Sequence, residues 1–519
     1  MLNHNNLSLE KQKKFKAAAI KLSRLRDDFD KYRDAESGKN LIKAKLKPLE
    51  DKLDDYLAEW HKLSREDSHV YPSQGILHTP FDYLDCKGHQ LLAHEQIVKT
   101  LRMRRFFLEL YNHPYRMHYL HEVNSQKFVP PPKVGSLTME SSAAAGLSLS
   151  VGDLAAAVMG AEKERVSRNE RFAQGPFVKL GRQARHLFVG SESPDVWNSA
   201  PAIATMAALH CLSALPRNGV TSDLKRQTDL AREVFTWLRN MADEILAGRP
   251  DKKEVLKLWL GNVTGALEAN TEKALKRAEA LYAAGVRSFR IYSPEPGTGP
   301  VETVKALKKR FKNTVEIFSG QITSVDQARA AEAAGADGIY VGIGGGGRCI
   351  TGVRSGSVID WPELVWKLRG EINIPVIVQG GASDHIAVTL LLGASGVGVS
   401  RVVSGGTIES PGGALYCIDS RGKMFKPYGG EASARIKYLD GKLLPFDIPA
   451  FVEGEISKAL LSYISHVFPT LTYNLHLLNE DAILALVFRG VNKLEELHAL
   501  DPSPLRQMTN SGQFQQNSH

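Results

Sequence analysis

Apolar residues recur three and four apart through the first part of the chain, at Phe15, Ala18, Leu22, Leu25, Phe29 and Tyr32. That spacing draws one apolar seam along a helix. Glu36-Ser37-Gly38-Lys39-Asn40 interrupts it, and Leu46, Leu49, Leu53, Tyr56, Trp60 and Leu63 resume it, with Pro48 suited to a first helical turn. The pattern predicts an antiparallel helical hairpin over residues 9–64, each seam burying the other. A dimer or partner interface is the alternative use of the same seams. Residues 64–134 read as mostly helical, Phe128-Val129-Pro130-Pro131-Pro132 as a stiff connector, and Ser141 to Gly146 as a small-residue one.

The texture changes near Val178. Short apolar runs now alternate with amphipathic helices. The predicted strands are His186–Gly190, Cys211–Leu215, Lys257–Val263, Val286–Tyr292, Thr314–Ser319, Gly338–Ile343, Pro375–Val378 and Gly396–Val399. Helical patterns over Thr271–Ala284, Val301–Phe311, Ser324–Ala334 and Asp384–Leu392 separate several of them. Ala283-Ala284-Gly285, Ala333-Ala334-Gly335 and Leu392-Gly393-Ala394 each end a helix just before a strand, the repeat of a parallel βα architecture. The expected fold is α/β: a (β/α)8 TIM barrel over residues 166–500, preceded by an all-helical region over 1–165 and followed by a disordered tail, 501–519. A doubly wound open sheet is the alternative.

Composition alters this little. The chain has 519 residues, 43% hydrophobic and 24% charged, as in ordinary globular proteins. A net charge of +9 suits anionic small substrates, and without aromatic-interleaved basic strands it disfavours nucleic acid. Met1 to Ser8 has no apolar signal region and no run is long enough for a bilayer, so a cytoplasmic protein with no membrane partner is expected. Cys86, Cys211, Cys349 and Cys417 are widely spaced, without zinc spacing. His113, His118 and His121 lack a carboxylate or cysteine partner at fixed spacing and read as structural; no metal site is expected.

Candidate chemistry gathers where barrel catalysis belongs, on loops leaving the C-terminal ends of strands. Gly344-Gly345-Gly346-Gly347-Arg348-Cys349-Ile350-Thr351 follows the sixth strand, Gln379-Gly380-Gly381 the seventh, and Ser400-Arg401 the eighth. Gly406 to Gly413 comes next. Glycine turns let backbone N–H groups approach an anion, and Arg348 beside Cys349 favours a thiolate nucleophile. Thr351 can relay a proton or cap the next turn.

On these residues the chain resembles the IMP dehydrogenase and GMP reductase family, over roughly Leu256 to Leu497. Gly344, Gly346, Cys349 and Thr351 match the family's cysteine loop. Gly380 and Gly381 match part of its Asp-Gly-Gly phosphate loop, and Gly406, Thr407, Glu409, Ser410, Pro411 and Gly412 match its Gly-Thr-x-Glu-(Ala/Ser)-Pro-Gly segment. The resemblance implies a covalent Cys349 adduct at C2 of a purine nucleotide, with Thr351 assisting proton transfer. It implies substrate contacts from Gly344, Gly346, Gly347, Gln379, Gly380, Gly381, Ser400, Arg401, Tyr428 and Gly429, and cofactor contacts from Ser293, Glu295 and Glu409. NADPH or NAD would be the cofactor, with K+ at the cysteine loop, in a homo-oligomer expected to be a tetramer.

Pro427-Tyr428-Gly429 in place of Tyr-Arg-Gly, and too little chain between Leu215 and Lys257 for a CBS pair, lean toward NADPH-dependent reductase-like chemistry. NAD-dependent IMP dehydrogenase is the alternative. The departures are Gln379 for the ribose-gripping aspartate, Gly347 for a phosphate-binding serine, and Ser293 for a cofactor-binding aspartate. Ser433 stands at the flap glutamate, with Glu431 two residues earlier, and Ser193-Pro194-Asp195 is all that remains of an N-terminal Ser-Pro-Met-Asp signature. These departures keep open a catalytically diverged nucleotide-binding or scaffold protein.

Overall fold

The computed structural model describes residues 9–34, 85–136, 139, 149–151, 168–217, 223–293, 298–342, 361–380, 385–440, 443–450, 456–460 and 469–507. The first seam forms a helix, Leu9–Asp34, with Leu22 buried. The second seam, and with it the pairing of the hairpin, lies outside the described residues.

Two short strands amend the all-helical reading of the N-terminal region. These are β1 (Gly88–Leu91) and β2 (Leu149–Val151). Neither pairs locally: their partners lie more than three hundred residues downstream, which local periodicity cannot show. Between them run helices His94–Tyr111 and Pro114–Ser125. Phe106, Phe107, Leu110 and Tyr111 of the first are buried in the same apolar cluster as the downstream strands. Phe107 and Tyr111 meet His476, on helix Leu471–Val487.

A hairpin of β3 (Phe177–Leu180) and β4 (Gln183–His186) leads into eight parallel strands. These are β5 (Phe188–Gly190), β6 (Ser213–Leu215), β7 (Val263–Glu268), β8 (Ser288–Tyr292), β9 (Glu316–Ile322), β10 (Gly338–Val341), β11 (Val376–Val378) and β12 (Gly396–Val399). Sequential neighbours pair from β6 to β12, and β12 pairs with β5. The last gap closes where Val189 bridges Leu212 in parallel and Gly190 N–H donates to Leu212 O at 2.8 Å. The sheet is a (β/α)8 barrel. The hairpin covers its N-terminal end: Arg185 Nη2 reaches Glu316 at the start of β9 at 2.7 Å, and its Nε reaches Asn262, just before β7, at 2.9 Å.

All eight predicted strands overlap their observed positions, but the third does so only at Val263. Lys257 to Gly261 belong to helix Lys252–Gly261, and the strand begins at Val263. Val255, Leu258 and Trp259 are buried at helical spacing, and their apolar side chains carry the run that alternation had been asked to explain. The helix-ending glycines behave as expected, Gly285, Gly335 and Gly393 all having positive φ.

After the barrel, β13 (Leu415–Ile418), β14 (Met424–Gly429) and β17 (Ile456–Leu460) join β1 in an antiparallel sheet of order β1-β13-β14-β17. A small ladder, β15 (Leu443–Leu444) with β16 (Ile448–Pro449), lies between β14 and β17 in the chain. Strand β18 (Leu505–Gln507) pairs with β2, so these three residues are strand rather than tail. Residues 508–519 lie outside the described set. Among the described residues, no helix is long and apolar enough to cross a membrane.

Candidate active site at the barrel mouth

Barrel strands that read as simply apolar carry polar side chains into the lumen. Thr264 on β7, Ser288 and Arg290 on β8, Ser319 and Gln321 on β9, and Tyr340 on β10 are all buried. Arg290 is the hub. Its Nε lies 2.8 Å from Glu192 Oε1, just past β5, and its guanidinium stacks 3.8 Å from the centre of the Tyr340 ring. Its Nη2 donates a short hydrogen bond to Gln379 Oε1, at the end of β11. Gln321 Nε2 donates to the same oxygen at 3.2 Å. These contacts join strands that are not neighbours, so they cross the lumen.

The hydrogen bonds fix the amide of Gln379. Both neighbours are N–H donors, so the oxygen must face them and Nε2 must face away. That Nε2 has no partner among the described residues, and neither does Ser400 Oγ at the end of β12. Buried donors without partners cost stability unless something accepts from them. A phosphate or sugar hydroxyl would.

The charges around position 379 are already balanced without a carboxylate there. Burial pushes the Glu192 carboxyl above the usual range while the Arg290 guanidinium pulls it down. One buried cation already faces one buried acid, and a carboxylate at 379 would add a second negative charge. Burial also pushes the Tyr340 phenol up to about 12, keeping it a neutral ring under Arg290.

Close packing holds the mouth in register. Gly342, just past β10, has φ +120°, and a Cβ there would stand 2.1 Å from Gln379 O. Gly380 has φ +84°. Ser293 is tied at the mouth by its N–H to Gly320 O (2.9 Å), while its carbonyl accepts from Gln321 N–H (3.1 Å). Ser400 O accepts from Val403 and Ser404 N–H, turning the chain at Arg401.

The flap residues stand on β14, anchored by the loop after β5. Ser193 Oγ donates to Gly429 O at 3.1 Å. Asp195 forms a buried ion pair with Arg435, Nε lying 3.1 and 3.0 Å from its two oxygens. Tyr428 is half-buried. Ser433 caps helix Ala434–Leu439 by accepting from Ile436 N–H, which accounts for a serine where a glutamate was sought. Glu431 instead pairs with Arg217 at 3.3 Å, and its charge reaches Glu192. Burial lowers the Arg217 pKa, but Glu431, Glu192, Glu268 and Tyr292 outweigh it and leave it raised.

Glu409, expected at the cofactor, is engaged inside the fold. It is fully buried, with Arg104 at 3.6 Å, a short bond from Thr470 Oγ1, and Leu471 N–H at 3.1 Å. Both oxygens are used inside the fold, and burial raises the carboxyl's pKa against the pull of Arg104. The adjoining loop is held by Lys426, whose buried ammonium donates to Thr407 O (2.7 Å), Ser410 O (3.1 Å) and Gly413 O (2.7 Å).

Gly344, Gly346, Gly347, Cys349, Thr351, Gly381 and Glu295 lie outside the described residues. Sequence reasoning missed Glu192, Arg290, Gln321, Arg435 and Lys426. Two carried a usable signal: Arg290 and Lys426 are basic residues inside apolar strand runs, where a buried polar group must find partners.

The sequence matches the model of the IMP dehydrogenase / GMP reductase domain over residues 4–519. It is 30% identical over 205 residues to the inosine-5'-monophosphate dehydrogenase of Aquifex aeolicus, a match covering 37% of this chain and 41% of that protein. Over 232 residues it is 33% identical to that of Yersinia pestis and 32% identical to that of Escherichia coli K12, each match covering 41% of this chain and 45% of the relative. The chain thus matches less than half the length of these curated relatives. It belongs to the IMP dehydrogenase / GMP reductase family.

Proposed function

We propose that this protein is a purine nucleotide oxidoreductase that reacts through Cys349, in the manner of an NADPH-dependent GMP reductase. The observation that carries the reading is the pair of unpartnered donors, Gln379 Nε2 and Ser400 Oγ, at the ends of neighbouring strands β11 and β12. They suit a ribose hydroxyl and a 5′-phosphate, with Gly380, Gly381 and Arg401 completing the anion cradle. Arg290 orients Gln379, and Glu192 compensates the charge of Arg290.

In this reading the Cys349 thiolate adds to C2, ammonia leaves, and the thiolate is expelled after C2 is reduced, giving IMP from GMP. NADPH, when bound, supplies the hydride. Gly344, Gly346 and Gly347 shape the cysteine loop, Thr351 moves protons at the leaving nitrogen, and K+ would bind the same loop. Ser293, fixed against Gly320 and Gln321 at the mouth, would touch a dinucleotide, with Glu295 two residues further along the chain. Tyr428 and Gly429 close the mouth from β14. Glu431, ion-paired with Arg217 and acting electrostatically on Glu192, would take the part of a glutamate at 433.

A second reading, NAD-dependent IMP dehydrogenase, is favoured by the names of the relatives. Against it, no arginine stands in Pro427-Tyr428-Gly429 to activate water. Residues 216–262 hold helices Leu224–Ile245 and Lys252–Gly261 where a regulatory pair would be inserted. A cytoplasmic homo-oligomer, a tetramer, is part of the proposal. Following the nicotinamide absorbance band with NADPH plus GMP, and separately NAD plus IMP, separates the branches. Oxidation of NADPH by GMP supports the reductase, and activity only with NAD and IMP replaces it with the dehydrogenase. Tight nucleotide binding with neither reaction would leave a binding protein.

A further inference from the structure

Away from the barrel mouth, β1 and β13 bring Cys417 to Cys86 and His89, which lie more than three hundred residues earlier in the chain. His89 and Cys417 are register partners on the antiparallel strands, and Cys86 lies just before β1. One ligand atom from each of Cys86, His89 and Cys417 falls within 4.8 Å of the other two. Cys86 Sγ lies 3.7 Å from His89 Nε2. Around a tetrahedral zinc ion, with Zn–S near 2.3 Å and Zn–N near 2.0–2.1 Å, neighbouring ligand atoms stand about 3.5–3.8 Å apart. The cluster therefore needs only a small contraction to bind.

We propose that Cys86, His89 and Cys417 form a zinc site that clasps β1 to the sheet carrying the flap. Two sulfurs and an imidazole nitrogen are a soft donor set, suited to zinc and unsuited to magnesium or calcium. Cys417 is buried, Cys86 partly so, and His89 is exposed, so the site has an interior floor and an open outer side where water takes the fourth position. Asp85 is not the fourth ligand: one oxygen accepts from Ser420 N–H at 3.1 Å and the other lies 3.7 Å from Lys87 Nζ.

The location gives the ion a task. Cys417 pairs with Phe425 on β14, three residues before Tyr428. Zinc would cross-link the entry to β1 to the strand pair that carries the flap, steadying one wall of the mouth without touching the lumen. A Cys86–Cys417 disulfide is the competing use of the two thiols, and it would leave His89 without a part.

The test is zinc titration of the full chain, purified under reducing conditions and stripped with chelator, followed by metal analysis and by cobalt substitution. The expected result is one zinc per chain and a sulfur-to-cobalt charge-transfer band. Binding should weaken at least tenfold in His89→Ala and in Cys86→Ser, both at the accessible side of the site, and in Cys417→Ser. Cobalt spectra of Cys349→Ala, which should keep the band, separate this site from the barrel cysteine. Sub-stoichiometric zinc, or binding unchanged in His89→Ala and Cys86→Ser, overturns the proposal. So does a metal-free protein two mass units lighter that holds a reducible Cys86–Cys417 bond. None of these outcomes bears on GMP turnover, so the site and the proposed function stand or fall separately.

Discussion

Replacing Asp195 with asparagine isolates the contact that ties the flap to the barrel. Asp195 and Arg435 have side chains only 1% exposed, and Arg435 Nε sits 3.1 and 3.0 Å from the two carboxylate oxygens. The substitution removes the negative charge and leaves the guanidinium buried. Losing one partner of such a pair costs about 3–5 kcal/mol, and asparagine, which keeps one acceptor, should fall at the lower end, about 3 kcal/mol. Urea unfolding of Asp195→Asn, Arg435→Met and the double variant, at fixed protein concentration, measures the loss. The double variant should lose less than the sum of the singles by about 1.5 kcal/mol or more, since it leaves no stranded charge. Turnover should fall as well, because Asp195 and Ser193 lie against Gly429. A loss below about 1 kcal/mol, or strict additivity, would refute the reasoning.

Stability should decline in acid through buried histidines. Burial pushes His186 and His498 down to about 3, with Arg116 and Arg369 respectively adding to the effect. The unfolded chain takes up protons below about 6.5 and the native one does not, so stability falls as pH drops from about 6.5 toward 3, by about 2 kcal/mol per histidine at pH 5. Melting temperature against pH checks this, and His186→Phe should flatten part of the slope. Gly342→Ala places a Cβ 2.1 Å from Gln379 O at φ +120°, and should cost about 2–3 kcal/mol and weaken nucleotide binding measured by calorimetry. Gln379→Ala should lower stability by about 1–3 kcal/mol, because it strands the buried N–H donors of Arg290 and Gln321, and should weaken binding of GMP about tenfold or more, as a lost hydrogen bond of about 1.5 kcal/mol requires.

The barrel was legible because each βα unit announces itself locally: an amphipathic helix, a terminal glycine such as Gly285 or Gly335, then an apolar run. Lys257–Val263 misled because a buried helix face and a buried strand look alike over so few residues. The mouth was legible by position and only partly by chemistry. Gln379, Gly380 and Ser400 could be set at the mouth from the sequence because they follow strand ends. Arg290 and Glu192, brought together from strands far apart in the chain, could not. Nor could the approach of Cys86 and His89 to Cys417 be read, since no spacing rule detects it. Glu409 fits the family's wording, yet only the packing of Arg104, Thr470 and Leu471 shows that its charge is spent inside the fold.

The central claim is that Cys349 is the nucleophile of a purine nucleotide oxidoreductase, and one comparison tests it most directly. Wild type and Cys349→Ala, both verified as folded, are given NADPH and GMP while the nicotinamide band is followed. The account predicts steady NADPH oxidation with release of ammonia by wild type and at least a thousandfold loss in the variant, about 4 kcal/mol of transition-state stabilisation. Full turnover by Cys349→Ala would contradict it.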